Sequence, residues 1–232
     1  VEQVMLYPRS GCELSYLSEE WFCAIGAFLS EARCLGMSVW LYDEFNWPSG
    51  DAGGRVTENP EFRLKSITVR GEKAGSVSTH SAHNTGLFGK KFFPDLLSPA
   101  AVEYFISVTH EAYYARFASD FGGVICGFYT DEPSVGYCAT ADAIPYYDGM
   151  EADYAARFER DFSEDMHTAH PLFLEDAYAL IADRFRRTYI ERLRDWCEGH
   201  GILLTGHLME DDNPLTSTVH GGNLLQNLAS FS

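Results

Sequence analysis

The chain has 232 residues, 46% of them hydrophobic and 14% aromatic, with a formal net charge of −17. That length holds one large α/β domain or two small ones with a sizeable core. The charge excludes nucleic acid and anionic membrane as natural partners and favours a neutral or cationic ligand.

Six cysteines (Cys12, Cys23, Cys34, Cys126, Cys138 and Cys197) form no CxxC pair and no zinc spacing. Cys126 in an apolar strand and Cys23, Cys34 and Cys197 in helices read as free thiols acting as small hydrophobes, which suits a reducing, cytoplasmic setting. No apolar stretch is long enough to span a bilayer, and no signal peptide is visible in a chain that opens on Val1.

Val4-Met5-Leu6-Tyr7 is a short strand ended by Pro8. Ser18 is a helix N-cap with Glu19 and Glu20 in the first turn, apolar residues recur at helical spacing from Trp21 to Leu35, and Gly36 supplies the stop. A second strand over 37–44 ends in Asp43-Glu44 and breaks into the loop Trp47-Pro48-Ser49-Gly50. Two strands around a helix make a β-α-β unit, for which a parallel right-handed crossover is the rule.

Residues 60–95 are rich in glycine and positive charge and read as an insertion, with a short strand at Ile67-Thr68-Val69 and a role as a flap or a surface excursion. Ser98-Pro99 starts the next helix, which Gly122-Gly123 closes. The strand over 123–130 then runs into Asp131-Glu132-Pro133, and 134–150 reads as loop. Tyr154, Phe158 and Phe162 mark one helix and 173–198 a long one, before a third, weaker acid-ended strand pattern from Ile202 to Glu210 and a last helix over 223–229. His110 and Glu111 fall on a helix, where packing and capping are their expected roles.

Repeated β-α units leave two folds, a doubly wound sheet or a closed (β/α)8 barrel. Pro8-Arg9-Ser10-Gly11 is not a dinucleotide-binding turn, and carboxylates at successive strand ends favour the barrel.

Several motifs occur in an order that resembles the barrel domain of large bacterial glycoside hydrolases of the α-L-rhamnosidase-like and β-galactosidase-like kind. They are Leu6-Tyr7-Pro8-Arg9-Ser10-Gly11, Tyr16-Leu17-Ser18-Glu19-Glu20-Trp21, Leu41-Tyr42-Asp43-Glu44 with Trp47-Pro48-Ser49-Gly50, Gly127-Phe128-Tyr129-Thr130-Asp131-Glu132-Pro133, and Thr205-Gly206-His207. The resemblance implies an α/β TIM-barrel catalytic domain. About four strands are legible where a closed barrel needs eight, so the chain is expected to carry the first half to two-thirds of one. Its exposed sheet edges would then be covered by the other barrel half or by self-association.

Cleavage of a glycosidic bond needs one protonated and one ionised carboxyl group. Glu132, after a buried strand and beside Asp131, is the expected general acid, and Asp-Glu-Pro is similar to the Asn-Glu-Pro of many barrel glycosidases. Glu210 is the candidate second catalytic carboxylate. Asp43, Glu44, Trp47, Asp131 and His207 are the expected substrate-binding residues, with no metal and no cofactor. Two other readings compete: a metal-dependent hydrolase using Asp43, Asp131 and His207, without HxH or HExxH support, and a catalytically incomplete fragment that only binds carbohydrate.

Overall fold

The computed structural model describes residues 2–80 and 91–232. Strand β1 (Gln3–Leu6) leads into helix α1 (Glu19–Leu35) and strand β2 (Ser38–Tyr42). The Ser18 hydroxyl accepts from Trp21 N at 3.2 Å, and Gly36 ends α1 in the left-handed region at φ 66°. These are the stop and start signals legible in the sequence.

A short helix α2 (Arg55–Glu58) and strands β3 (Lys65–Thr68) and β4 (Val77–Thr79) follow, then helices α3 (Pro99–Val108) and α4 (His110–Phe117) and strand β5 (Ile125–Asp131). Strand β6 (Ala143–Tyr146) precedes helices α5 (Met150–Phe158), α6 (Phe162–His167), α7 (Phe173–Phe185) and α8 (Arg192–Gly199). Strand β7 (Leu203–His207) and helices α9 (Pro214–Gly221) and α10 (Leu224–Leu228) complete the described elements.

Four strands form one sheet in the order β1-β2-β5-β7, and every neighbouring pair is parallel. The order rises along the chain without reversing, so the sheet has no switch point of the doubly wound kind. The described strands do not close into a barrel. Val39, Leu41, Ile125, Phe128 and Leu204 are fully buried on one face, with α1 against β2 and α8 against β7. The other face carries Met5, Trp40, Tyr129, Leu203 and Thr205 around a shallow depression; Met5 is 37% and Leu203 49% exposed.

A bulge in β5 decides which residues reach that open face. Val39 pairs with Ile125 but Trp40 pairs with Gly127, leaving Cys126 as the extra residue. The strand's inside-outside alternation shifts by one, so Phe128 and Thr130 point to the core and Tyr129 and Asp131 to the open face. Gly127 is required here: a Cβ would lie 2.2 Å from the Trp40 ring, which crosses β5 at this point.

Three expectations are corrected. The insertion carries more than the one expected short strand, because β3 pairs antiparallel with β4 and with β6 in a second, three-stranded sheet. Residues 134–150 supply β6, whose Pro145 is tolerated because β6 is an edge strand. The single helix expected around Tyr154 to Phe162 is two helices, with Glu159 at φ 57° and the Asp161 cap between them. Residues 81–90 of the insertion lie outside the described residues.

Helix α7 continues into α8 through a π turn, Arg186–Glu191. From this turn Tyr189 reaches Thr130 Oγ1 at 2.8 Å beneath the end of β5. His110 packs among Phe105, Phe128 and Trp196 and is fully buried, while Glu111 accepts from the Trp196 indole at 2.7 Å. Thr109 Oγ1 donates to Phe105 O and lies 2.8 Å from His110 Nδ1, so the ring proton sits on Nδ1. Burial pushes the His110 pKa down to about 3. The unfolded chain therefore binds one more proton than the folded one below pH about 6.5. Stability from this residue should be complete above that pH and fall by about 1.4 kcal/mol per unit toward pH 3. Urea midpoints at pH 7 and 4.5 should differ less in His110→Phe than in the wild type.

Candidate functional site

Strand β2 ends at Tyr42, and the chain then turns through a loop that its own carboxylate organises. Glu44 is fully buried and accepts backbone N–H groups from Phe45 at 2.9 Å, Asp51 at 2.7 Å, Ala52 at 2.9 Å and Gly53. Its oxygens are spent on the loop rather than offered to a ligand. Asp43 turns into the core, taking the Ser49 hydroxyl at 2.5 Å near Tyr113 and Tyr189. Its Oδ2 has no partner among the described residues, and burial holds its pKa well above the carboxylate range. Burial at this place therefore disfavours the ionised form of Asp43.

Ser49 docks the loop onto β5. Its hydroxyl accepts from Asp131 N at 2.8 Å, and its own N–H donates to Asp131 O at 2.8 Å. Trp47 is half-buried in the same loop. Asn46, at φ 61°, ties the loop to the end of β1 by accepting from Ser10 N at 2.7 Å.

The open face of the sheet converges on Asp131. Its Oδ2 accepts the Tyr7 hydroxyl at 2.5 Å and the Tyr42 hydroxyl at 2.7 Å. Arg9, stacked on the Tyr7 ring, lies 3.6 Å away. His207 Nδ1 is 3.7 Å from Asp131 Oδ1 and 3.2 Å from Glu132 Oε1, and His207 Nε2 is 3.1 Å from Asp211 Oδ1. Strand pairing explains the meeting, because Asp131 is the register partner of His207 and Tyr42 that of Tyr129. Gly206 lets β7 approach, since a Cβ would sit 2.3 Å from Thr130 O.

Glu132 carries the ladder one step further, donating its N–H to His207 O at 2.7 Å, and then leaves the strand at φ 48°. A side-chain-bearing residue in that region is costly and marks a constrained site. Burial, then the charge of Asp131, raises the Glu132 pKa, and His207 opposes the rise. Both nitrogens of His207 face carboxyl oxygens. If Glu132 is protonated, it can donate to Nδ1 while Nε2–H donates to Asp211; if it is ionised, only an imidazolium satisfies both.

The structure thus brings Tyr42, Asp131, Glu132 and His207 together, and adds Tyr7, Arg9 and Asp211, which sequence reasoning missed. Glu210 is exposed, at φ 57°, with its Oε2 3.5 Å from Thr216 Oγ1, and its charge acts on Glu132. Asp43 and Glu44 stand apart from the cluster, in the core and in the loop. No group of three His, Cys, Asp or Glu side chains among the described residues is arranged to hold a metal ion. No helix among them is long and apolar enough to cross a membrane.

A scan against protein-family models finds no match, and no curated protein matches the chain at a significant level. The class is therefore set by architecture alone: a mixed α/β protein with a parallel sheet and an acid-histidine-tyrosine cluster at its C-terminal strand ends.

Glu44→Gln places an amide NH2 where backbone N–H groups converge. The expected loss is about 1–3 kcal/mol per unmatched group, with protease cleavage appearing first within 45–54. Limited proteolysis with mass mapping, alongside urea denaturation, reads both.

Proposed function

We propose that this chain is part of a glycoside hydrolase whose general acid is Glu132. The observation that carries the reading is a carboxyl group with a raised pKa, lodged between Asp131 and His207 at the C-terminal ends of a parallel sheet. A glycosidic oxygen is a poor leaving group unless protonated as the bond breaks. The acid must hold its proton to a higher pH than a free glutamate does, which partial burial beside a second carboxylate favours.

Asp131 is fixed by Tyr7 and Tyr42, so its charge stays close to Glu132 and is shielded from reorientation. His207 Nδ1, 3.2 Å from Glu132 Oε1, holds the acid in place. Glu210, exposed and not tied to His207, is the candidate second carboxylate. Tyr129 and Trp47 offer ring faces that suit the C–H face of a sugar.

The finer fold belongs to the same proposal. Strands that rise in order and are all parallel, with polar residues at their C-terminal ends, are arranged as in part of a (β/α)8 barrel. Further strands would cover Met5, Trp40 and Leu203, since parallel sheets are almost always covered on both faces. A carbohydrate-binding protein without turnover is the second reading, favoured by the same open aromatic face.

A panel of nitrophenyl glycosides, assayed with the full-length protein, separates the two. Turnover should fall about 10²- to 10⁴-fold in Glu132→Gln. In the wild type kcat/KM should fall with rising pH only above the ordinary glutamate range, because the raised pKa keeps Glu132 protonated to a higher pH; that limb should vanish in the variant. Equal turnover in both proteins removes Glu132 from its role, and sugar binding without turnover favours the binding reading.

A further inference from the structure

The molecule is strongly acidic overall, yet one cleft reverses the sign. Between α5 and α7 lies a cavity of about 420 Å³, lined by Tyr147, Arg157, Asp183, Arg184, Arg187 and Thr188 among others. Arg184 is held as if for use. Its Nε donates to Leu97 O at 2.9 Å and its guanidinium lies 4.8 Å over the Tyr147 ring. It forms no ion pair with a carboxylate among the described residues.

The carboxylates of the cleft are already committed. Asp183 is shared by Arg157, Arg186 at 3.4 Å and Arg187 at 3.6 Å. Asp153 accepts the Tyr147 hydroxyl at 2.9 Å, and Glu191 pairs with Arg186. Four guanidinium groups thus stand against three carboxylates, and the one without an ion pair among the described residues is Arg184, which lines the cavity and is seated by its contacts to Leu97 and Tyr147. A stacked, anchored guanidinium loses little freedom on binding a planar or tetrahedral oxyanion in two-point fashion. A protein of this net charge repels anions from its surface at large, so local excess of arginine in a concave site is the feature that calls for a ligand.

We propose that this cleft binds a phosphate group, free or carried as a monoester, with Arg184 as the two-point donor and Arg187 and Arg157 as flanking charges. The site lies on the helical layer, on residues distinct from the cluster around Asp131, and does not depend on the carbohydrate reading. Arg184, Arg187 and Asp183 fall on α7 and the π turn that follows it, and Arg157 comes from the facing helix α5.

The test is titration of the full chain with inorganic phosphate and, separately, with glycerol 3-phosphate, followed by calorimetry at low salt. Acetate at equal ionic strength is the control for bulk screening. Phosphate should bind at least about tenfold more tightly to the wild type than to Arg184→Gln, and acetate should bind neither. Arg187→Gln, at an exposed position that the fold does not need, should weaken phosphate about threefold or more and secures the test if Arg184→Gln does not fold. Arg33→Gln, on α1 and paired with Asp120, should behave as wild type. Preference for the ester over free phosphate identifies a carried group, and the reverse a free ion. Equal affinity in the wild type, Arg184→Gln and Arg187→Gln, or no binding to the wild type, overturns the proposal.

Discussion

The immobilisation of Asp131 is the interaction on which the rest of the site depends. Its backbone exchanges two hydrogen bonds with Ser49, its carboxylate takes two tyrosine hydroxyls, and Arg9 stands beside it. Tyr7 and Arg9 follow β1, and Tyr42 and Ser49 come from the end of β2 and its loop, so the clamp also fastens the ends of β1, β2 and β5 to one another. Hydrogen bonds to an ionised acceptor are stronger than neutral ones, and several converging on one oxygen fix its direction. A carboxylate so held imposes a steady negative potential on its neighbour in the chain.

That neighbour is Glu132, and its properties follow from where the clamp leaves it. The β5 bulge at Cys126 turns Asp131 to the open face, pairing with β7 brings His207 alongside, and the left-handed turn at Glu132 ends the strand at that place. Partial burial and the fixed charge both disfavour ionisation, while His207 favours it. The balance leaves a carboxyl that keeps its proton longer than a free glutamate, beside a ring that holds it in place. Beneath this layer Asp43, Ser49, Thr130 and Tyr189 form a buried polar floor, reached from the long helix through its π turn.

Much of the frame was legible because its signals are local. Ser18 and Gly36 bound α1, Ser98 and Pro99 open α3, and apolar runs mark β2, β5 and β7, since caps and periodicity act over a few residues. The site was legible only in part: Tyr42, Asp131, Glu132 and His207 lie at strand ends and could be named, but Tyr7 and Arg9 reach Asp131 only through the order of β1, β2 and β5 in the sheet, which no short motif encodes, and Asp211 lies in an irregular loop after β7 that carries no periodic signal. Asp43 and Glu44 look alike in sequence, and the structure separates them because the strand stops at Tyr42 and the following loop needs a carboxylate of its own. Strand β6 was hidden by Pro145 and by a partner, β3, that is distant in the chain.

The measurement that bears most directly on this account is a carbon-13 NMR titration of the glutamate side-chain carboxyls, with Glu132 assigned by its loss in Glu132→Gln. The account predicts that Glu132 titrates above the ordinary glutamate range and that Asp131→Asn moves it downward, because the largest charge contribution to the rise has been removed. An ordinary titration in the wild type, or one that Asp131→Asn leaves in place, would contradict it.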